Sequence, residues 1–248
     1  MEFNEALARV RDGGRTADGI GTLGEKTIHA TLKWWLDDDA THHEVTLPCG
    51  SVADIYDGER VIEIQTANYS GFRKKLERLL ADHPVTVVCP LVHRKRVVWI
   101  DPATGETAPP NRSPRRGWFS DMLPHLVYIL PLLDHPRLTL RPVLLDVEEH
   151  RLADGWGNGG KRGSHRAERY PTALVDTVTV ESGEDYRRLL PSGLPHEFTA
   201  TEFGKIARLQ GRRLSGALKV LLTVGVLTRE REGRGYRYTI TGEWNCEE

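Results

Sequence analysis

Two β-branched runs, SVADIYD and RVIEIQTA, meet across the pair Asp57-Gly58. Asp-Gly between such runs is a strong hairpin signal. The hairpin dictates how the neighbouring segments are read. Tyr69 to His83 carries Phe72, Leu76, Leu79 and Leu80 on one helical face, with Arg73, Lys74, Lys75 and Arg78 elsewhere, and Pro84 stops it. PVTVVCPLV is nearly continuous in apolar residues, as a central strand in a covered sheet is, and KRVVWID reads as the next strand. Ahead of the hairpin, HHEVTLP reads as a strand. Ile28, Leu32, Trp35 and Leu36 predict a helix over 24–36 that ends before Asp37, Asp38 and Asp39, because acids are unfavourable at a helix C-terminus. A short helix over 2–11 comes first. The order αβββαββ predicts an α/β or α+β fold, a mixed sheet flanked by helices.

The chain has 248 residues, which favours two domains, and its 39% hydrophobic content is enough for a sizeable core. No apolar run approaches 18 residues, so a membrane span is not expected. The opening MEFNEALARVRDGG has no signal-peptide character. Cys49, Cys89 and Cys246 lie far apart and make neither a disulfide framework nor a zinc pattern, so a reducing, cytoplasmic setting is the expectation. Further along, 102–117 is a Pro-rich loop. Residues 118–133 are apolar with helical spacing interrupted by Pro124 and Pro131. Residues 137–149 alternate as a long strand, and 153–170, with five glycines, reads as a loop. The expected division is 1–184 and 185–248.

The hairpin carries Asp54 on its first strand and Glu63 and Gln65 on its second. Residues i and i+2 of a strand share a face, so Glu63 and Gln65 are neighbours. A Gly58-Glu59 turn sets Asp54 directly opposite Glu63. An Asp57-Gly58 turn sets it diagonal on the same face. Both registers gather two carboxylates among Val52, Ile55, Val61 and Ile62, where unpaired burial would cost several kcal/mol. A divalent cation accounts for them, since Mg²⁺ takes one or two carboxylates plus waters and substrate phosphate. The alternative is an ion pair of the hairpin acids with Arg60 or Arg73.

This stretch resembles the PD-(D/E)xK nuclease superfamily. Glu25 in GEKTIHATLKWWL, Asp54 in SVADIYDG and Glu63-Ile64-Gln65 in VIEIQTANY match the family's helix glutamate, hairpin aspartate and Glu-x-Gln. The wording looks most like the competence CoiA-like branch, and the likeness covers roughly residues 20–100. It implies a restriction-endonuclease-like fold in which Glu25, Asp54 and Glu63 hold Mg²⁺ or Mn²⁺ and Gln65 orients the nucleophile. The usual lysine of the motif is Gln65 here. An amide orients water but brings no charge, so Lys74 or Lys75 on the next helix becomes the candidate to supply it. For Glu25 the alternative is helix N-terminal charge compensation. His42-His43 lack partners at ligand spacing and read as strand-start histidines. Trp34-Trp35 read as core and rim.

The chain's formal net charge is −1, yet Gly204 to Tyr238 holds nine Lys/Arg against two acids. Thr199 or Thr201 can cap a helix with Glu202 close behind, and Phe203, Ile206, Ala207 and Leu209 mark its face. Leu214, Leu218, Leu221 and Leu222 mark a second helix, and VLTRERE and GYRYTIT join at Gly233-Arg234-Gly235. This order resembles winged-helix DNA-binding domains. The resemblance puts Arg212, Arg213 and Lys219 on or near the recognition helix, Arg234 at the wing tip and Arg237 on the returning strand. A winged helix used for protein contacts or dimerisation is the alternative. GWGNGGKRG, with Lys161 and Arg162, is no Walker A motif and reads equally as a nucleic-acid contact or a plain surface loop.

The expected function is a Mg²⁺- or Mn²⁺-dependent nuclease acting on DNA, with RNA left open. Glu25, Asp54, Glu63 and Gln65 form its site. Arg73, Lys74, Lys75, Lys161, Arg162 and the winged-helix cations lie along the nucleic acid. A homodimer or a larger protein complex is left open. The alternative is a non-catalytic DNA-binding or protein-interaction component of a defence or repair assembly that keeps the nuclease fold.

Overall fold

The computed structural model describes residues 1–13, 27–66, 69–156 and 162–242. The helices are α1 (Phe3–Gly13), α2 (Thr27–Leu36), α3 (Tyr69–Asp82), α4 (Leu123–Leu126), α5 (Ala200–Ile206) and α6 (Gly211–Thr223). The strands are β1 (His43–Thr46), β2 (Val52–Tyr56), β3 (Val61–Ile64), β4 (Val85–Ile100), β5 (Asn111–Arg112), β6 (Leu138–Trp156), β7 (Arg162–Thr177), β8 (Glu197–Thr199), β9 (Leu227–Glu232) and β10 (Gly235–Ile240). The fold is α+β. A seven-stranded mixed sheet has the order β1-β2-β3-β4-β6-β7 with β5 beside β4, and a three-stranded sheet has the order β8-β10-β9.

The chain divides into two compact units. The first comprises Met1–His43, Val92–Gly117 and Leu144–Asp176, and the second Glu44–Leu91, Trp118–Val143 and Thr177–Glu248. Strands β4 and β6 contribute to both. Residues 185–248 thus belong to the same unit as the hairpin.

In the second unit, β2 pairs antiparallel with β3 through Ile55 with Ile62 and Tyr56 with Val61. β3 runs parallel to β4, with Glu63 beside Val87. All four β3 residues are buried, because the strand is covered on both faces. α3 sends Phe72, Leu76, Leu79 and Leu80 into the core, the side chains its spacing predicts. Each contributes roughly 1.5–3 kcal/mol on burial. The two strands expected over 84–100 are one strand, which Pro90 does not break. Val88 is the last β4 residue paired with β3, and its carbonyl accepts the Gln65 N–H. Strand backbones alternate direction, so Pro90 faces the side where β3 has already ended, and its missing N–H costs no ladder bond.

The apolar stretch after Gly117 is a 3₁₀ turn over Phe119–Met122, α4, and a second 3₁₀ segment over Val127–Leu132 that contains Pro131. The prolines keep it from being one α-helix. The expected loop over 153–170 is largely strand, since β6 runs to Trp156 and β7 starts at Arg162. Three of the five glycines lie at 157, 159 and 160, outside the described residues. Sheet pairing overrides the low strand propensity of Gly155 and Gly163. No helix among the described residues is long and apolar enough to cross a membrane.

In the first unit α1 packs on α2. Phe3 meets Trp35 edge-on, and the Arg9 guanidinium lies 3.5 Å from the Trp34 ring centre. Both tryptophans are half-buried, so the pair is rim on both counts and the expected core member is not found.

Candidate active site

The Tyr56 to Val61 connection is held by one side chain. The Asp57 carboxylate accepts from the backbone N–H of Glu59 and Arg60 and from Arg60 Nε, and Gly58 takes φ +95°. Bonds of this kind stabilise turns wherever Asp precedes a glycine. Extended by one residue, the register of Ile55 with Ile62 sets Asp54 against Glu63, the arrangement of the Gly58-Glu59 turn. Asp54 Oδ2 also accepts the Ile64 N–H at 2.6 Å, which ties the two strands at the level of the acids.

Glu63 is 3% exposed. Lys75 reaches in from α3 and places Nζ 2.6 Å from Oε2. Oε1 is buried without a hydrogen-bond partner. Burial, and next the charge of Asp54, push the Glu63 carboxyl up to about 7, with Lys75 pulling the other way. A buried acceptor with no partner costs about 1–3 kcal/mol, more when charged, and such an atom needs an explanation.

Gln65 follows at the end of β3, on the Glu63 face and half-buried. Its backbone is held at both ends, because its N–H donates to the Val88 carbonyl and its carbonyl accepts the Tyr69 hydroxyl at 3.2 Å. That hydroxyl also donates to Cys89 Sγ, and burial pushes the Cys89 thiol up to about 12.

The expected residues are only partly gathered here. Asp54, Glu63, Gln65 and Lys75 come together. Glu25 and Lys161 lie outside the described residues, and Arg162 begins β7. The ion pair weighed for the hairpin acids forms with neither Arg60 nor Arg73. Arg60 binds Asp57, and Arg73 binds Glu77 at 2.8 Å. Lys74 is exposed. No group of three or more His, Cys, Asp and Glu among the described residues is arranged for a metal ion. His42 and His43 are both taken up by Asp37, at 2.9 Å from its carboxylate and 3.0 Å from its carbonyl.

The 197–240 segment has the β8-α5-α6-β9-β10 order of a winged helix. The Thr199 hydroxyl accepts the Glu202 N–H while Glu202 reaches back to the Thr199 N–H, a full capping box. Gly204 is required in α5, since a Cβ there would stand 2.8 Å from the Leu209 carbonyl oxygen. Arg212, Arg213 and Lys219 are exposed on α6, and Arg234 is exposed at the β9–β10 turn. Arg237 is instead clamped by both oxygens of Glu232, with its Nε 3.0 Å from Oε2. A groove of about 580 Å³ between α6 and the wing is lined in part by Lys219, Arg229 and Tyr236.

Two features escaped the sequence reading. Glu149 in β6 is fully buried among Lys95, Arg151 and Arg169. Despite burial, the bonds from the two arginines and Lys95 hold its carboxyl down at about 2. Nothing in DVEEHR separates Glu149 from its acidic neighbour. A basic cavity involving Arg94, Arg96, Arg112 and Arg116 was also missed, although the runs HRKR and NRSPRR signal it.

Residues 26–181 match the family described as "Domain of unknown function (DUF8091)". The chain is 27% identical over 228 residues to a protein of Treponema pallidum (strain Nichols) described as "Uncharacterized protein", a match covering 88% of this chain and 86% of that protein. No solved structure matches the chain.

Proposed function

The chain belongs to this family of unknown function, so the activity has to come from the site, and we propose that it is a metal-dependent nuclease that hydrolyses phosphodiester bonds in DNA. The observation that carries the reading is the buried, unpartnered Oε1 of Glu63 beside a second carboxylate. Two opposed acids with one orphaned oxygen fit a hard divalent cation, which accepts one or two protein carboxylates and keeps water and phosphate in its remaining positions. Asp54 and Glu63 would hold Mg²⁺ or Mn²⁺, with Glu25 the third candidate. When bound, the ion supplies charge neutralisation at the scissile phosphate and a more acidic water.

The chain's own groups do the rest. Lys75 Nζ fixes Glu63 Oε2 and leaves Oε1 for the cation. Lys75 also brings to this face the positive charge that Gln65 lacks. The Gln65 amide orients the attacking water, and the two backbone bonds of Gln65 keep it in place. Arg212, Arg213, Lys219 and Arg234 contact backbone phosphate through the winged helix. Arg237 contributes less, being neutralised by Glu232. A cytoplasmic setting accords with two free cysteines among the described residues, Cys49 and Cys89.

A second reading is a non-catalytic DNA-binding component, favoured by the described residues holding only two acids at this place. Cleavage separates the two. The purified chain should cut duplex DNA with Mg²⁺ or Mn²⁺ and not in EDTA, and Asp54→Ala should lower the rate by at least ~10²–10³-fold, the scale for losing a group that stabilises developing charge. Folded Asp54→Ala that cuts at the wild-type rate sinks the nuclease reading.

A further inference from the structure

We infer that the cavity between β4, β5 and β6 of the first unit is a second nucleic-acid contact, one that takes consecutive backbone phosphates of duplex DNA. The inference rests on the nucleic-acid reading above and adds a site that neither the hairpin nor the winged helix contains.

The cavity measures about 510 Å³ and is lined by Arg94, Lys95, Arg96, Arg112 and Arg116, with Asp146 its one acid among the described residues. Arg94 and Arg96 are two residues apart on β4, so they share a face. β4 pairs antiparallel with β5 so that Arg96 stands directly opposite Arg112. Like charges directly opposed across strands are destabilising. Here nothing offsets them. Arg94, Arg96, Arg112 and Arg116 are exposed and carry no ion pair among the described residues. Asp146 accepts the backbone N–H of Arg94 at 3.1 Å, and Lys95 is spent on Glu149. An arrangement that costs stability and is left unpaired within a concavity calls for an anion.

Charge and lining decide which anion. Four guanidinium groups against one carboxylate leave about three positive charges, whereas a phosphate monoester carries ~2 negative charges at most. The cations are spread over β4, β5 and the loop that follows β5. Among the described residues the cavity's apolar lining is Pro114 and Val147, with no aromatic ring to stack a base. Forked donors without a base platform suit successive phosphodiesters, read without regard to sequence.

The test uses the full chain with a labelled 20-base-pair duplex in EDTA, titrated at several salt concentrations, so that cleavage plays no part. Arg96→Gln with Arg112→Gln should weaken binding about tenfold at low salt and flatten the log–log salt slope by about two, close to one per lost phosphate contact. Arg112→Glu turns the repelling pair into an attracting one. It should melt at or above the wild-type temperature while binding less. Asp54→Ala should bind as wild type does, so a chain that never cleaves can still bear out this site. Wild-type affinity and slope in both arginine variants overturn the inference, as does a wild-type chain that does not bind the duplex. Displacement of the duplex by low-millimolar inorganic phosphate at matched ionic strength would assign the cavity to a single phosphate and overturn it too.

Discussion

Glu63 and Glu149 are both buried glutamates on strands, one in each unit, and their surroundings push them in opposite directions. Glu149 has three cations on its two oxygens and is held down at about 2. Glu63 has one cation on one oxygen, an aspartate opposite and a bare second oxygen, and sits at about 7. Burial is common to both, so it does not mark the site. Saturation does. A fully bonded carboxylate is a structural tie, and an under-bonded one beside a like charge retains capacity for a cation.

The sharpest way to break this comparison is Glu149→Ala. Removing the shared carboxylate leaves three cations crowded together. It should cost about 3 kcal/mol of stability, near the low end for broken buried pairs because those cations are partly exposed. Cleavage at a temperature where the variant is folded should stay within a few-fold of wild type. A variant as stable as wild type would remove Glu149 as a structural tie.

Metal should act on the other glutamate. Mg²⁺ at about one hundred times its dissociation constant should stabilise the wild type by ~2.7 kcal/mol. The gain should be larger at pH 8 than at pH 5.5, since the cation competes with the proton on a Glu63 that titrates near 7. Equal thermal shifts at the two pH values, or an undiminished shift in Asp54→Ala, would contradict binding at these carboxylates.

Without metal, Glu63→Gln should stabilise the chain at pH 8 by at most about 3 kcal/mol, because the carboxyl is raised from 4.5 to about 7 and each pH unit of that rise is worth about 1.4 kcal/mol. The sign follows from linkage. Glu63 is raised from 4.5 to about 7, so its favourable contribution is complete below 4.5 and is lost as the pH climbs through 7. Glu149 is lowered from 4.5 to about 2, so its contribution is present above 4.5 and is lost as the pH falls towards 2. Unfolding curves against pH should therefore leave wild type in opposite directions: Glu149→Ala falls below it as the pH rises from about 2 to 4.5, and Glu63→Gln climbs above it between 4.5 and about 7.

The smallest expected effect lies in the winged helix. Replacing Arg212 and Arg213 by Gln should flatten the salt slope of duplex binding by about one or two. Replacing Arg237 should change it less, since Glu232 already neutralises that guanidinium. Equal losses at the two places would show that the Glu232 clamp opens on binding.

Much of the site was legible because strand and helix periods are local properties. Either hairpin register puts Asp54 on the Glu63 face, and Gln65 joins them by the two-residue repeat. The apolar face of α3 and the Thr199–Glu202 capping box follow likewise from spacing within one element. Partner choice was not local. Arg60, Arg73, Lys74 and Lys75 were all available to the hairpin acids. The Asp57 turn captures Arg60, the one-turn spacing on α3 gives Arg73 to Glu77, and only Lys75 enters the buried face.

The amino-acid sequence by itself determined which residues share a face, where helices begin and end, and that two acids must meet among apolar neighbours. Tertiary structure alone decided what each charge meets. It carried β4 through Pro90 by ending β3 beside it, set Arg96 against Arg112, and gathered Lys95, Arg151 and Arg169 on Glu149. The physical reason is range. Side-chain direction repeats every two or 3.6 residues and is written into each segment. The balance of desolvation and pairing that sets a buried charge depends on groups brought from distant strands, and only the pairing of those strands supplies them.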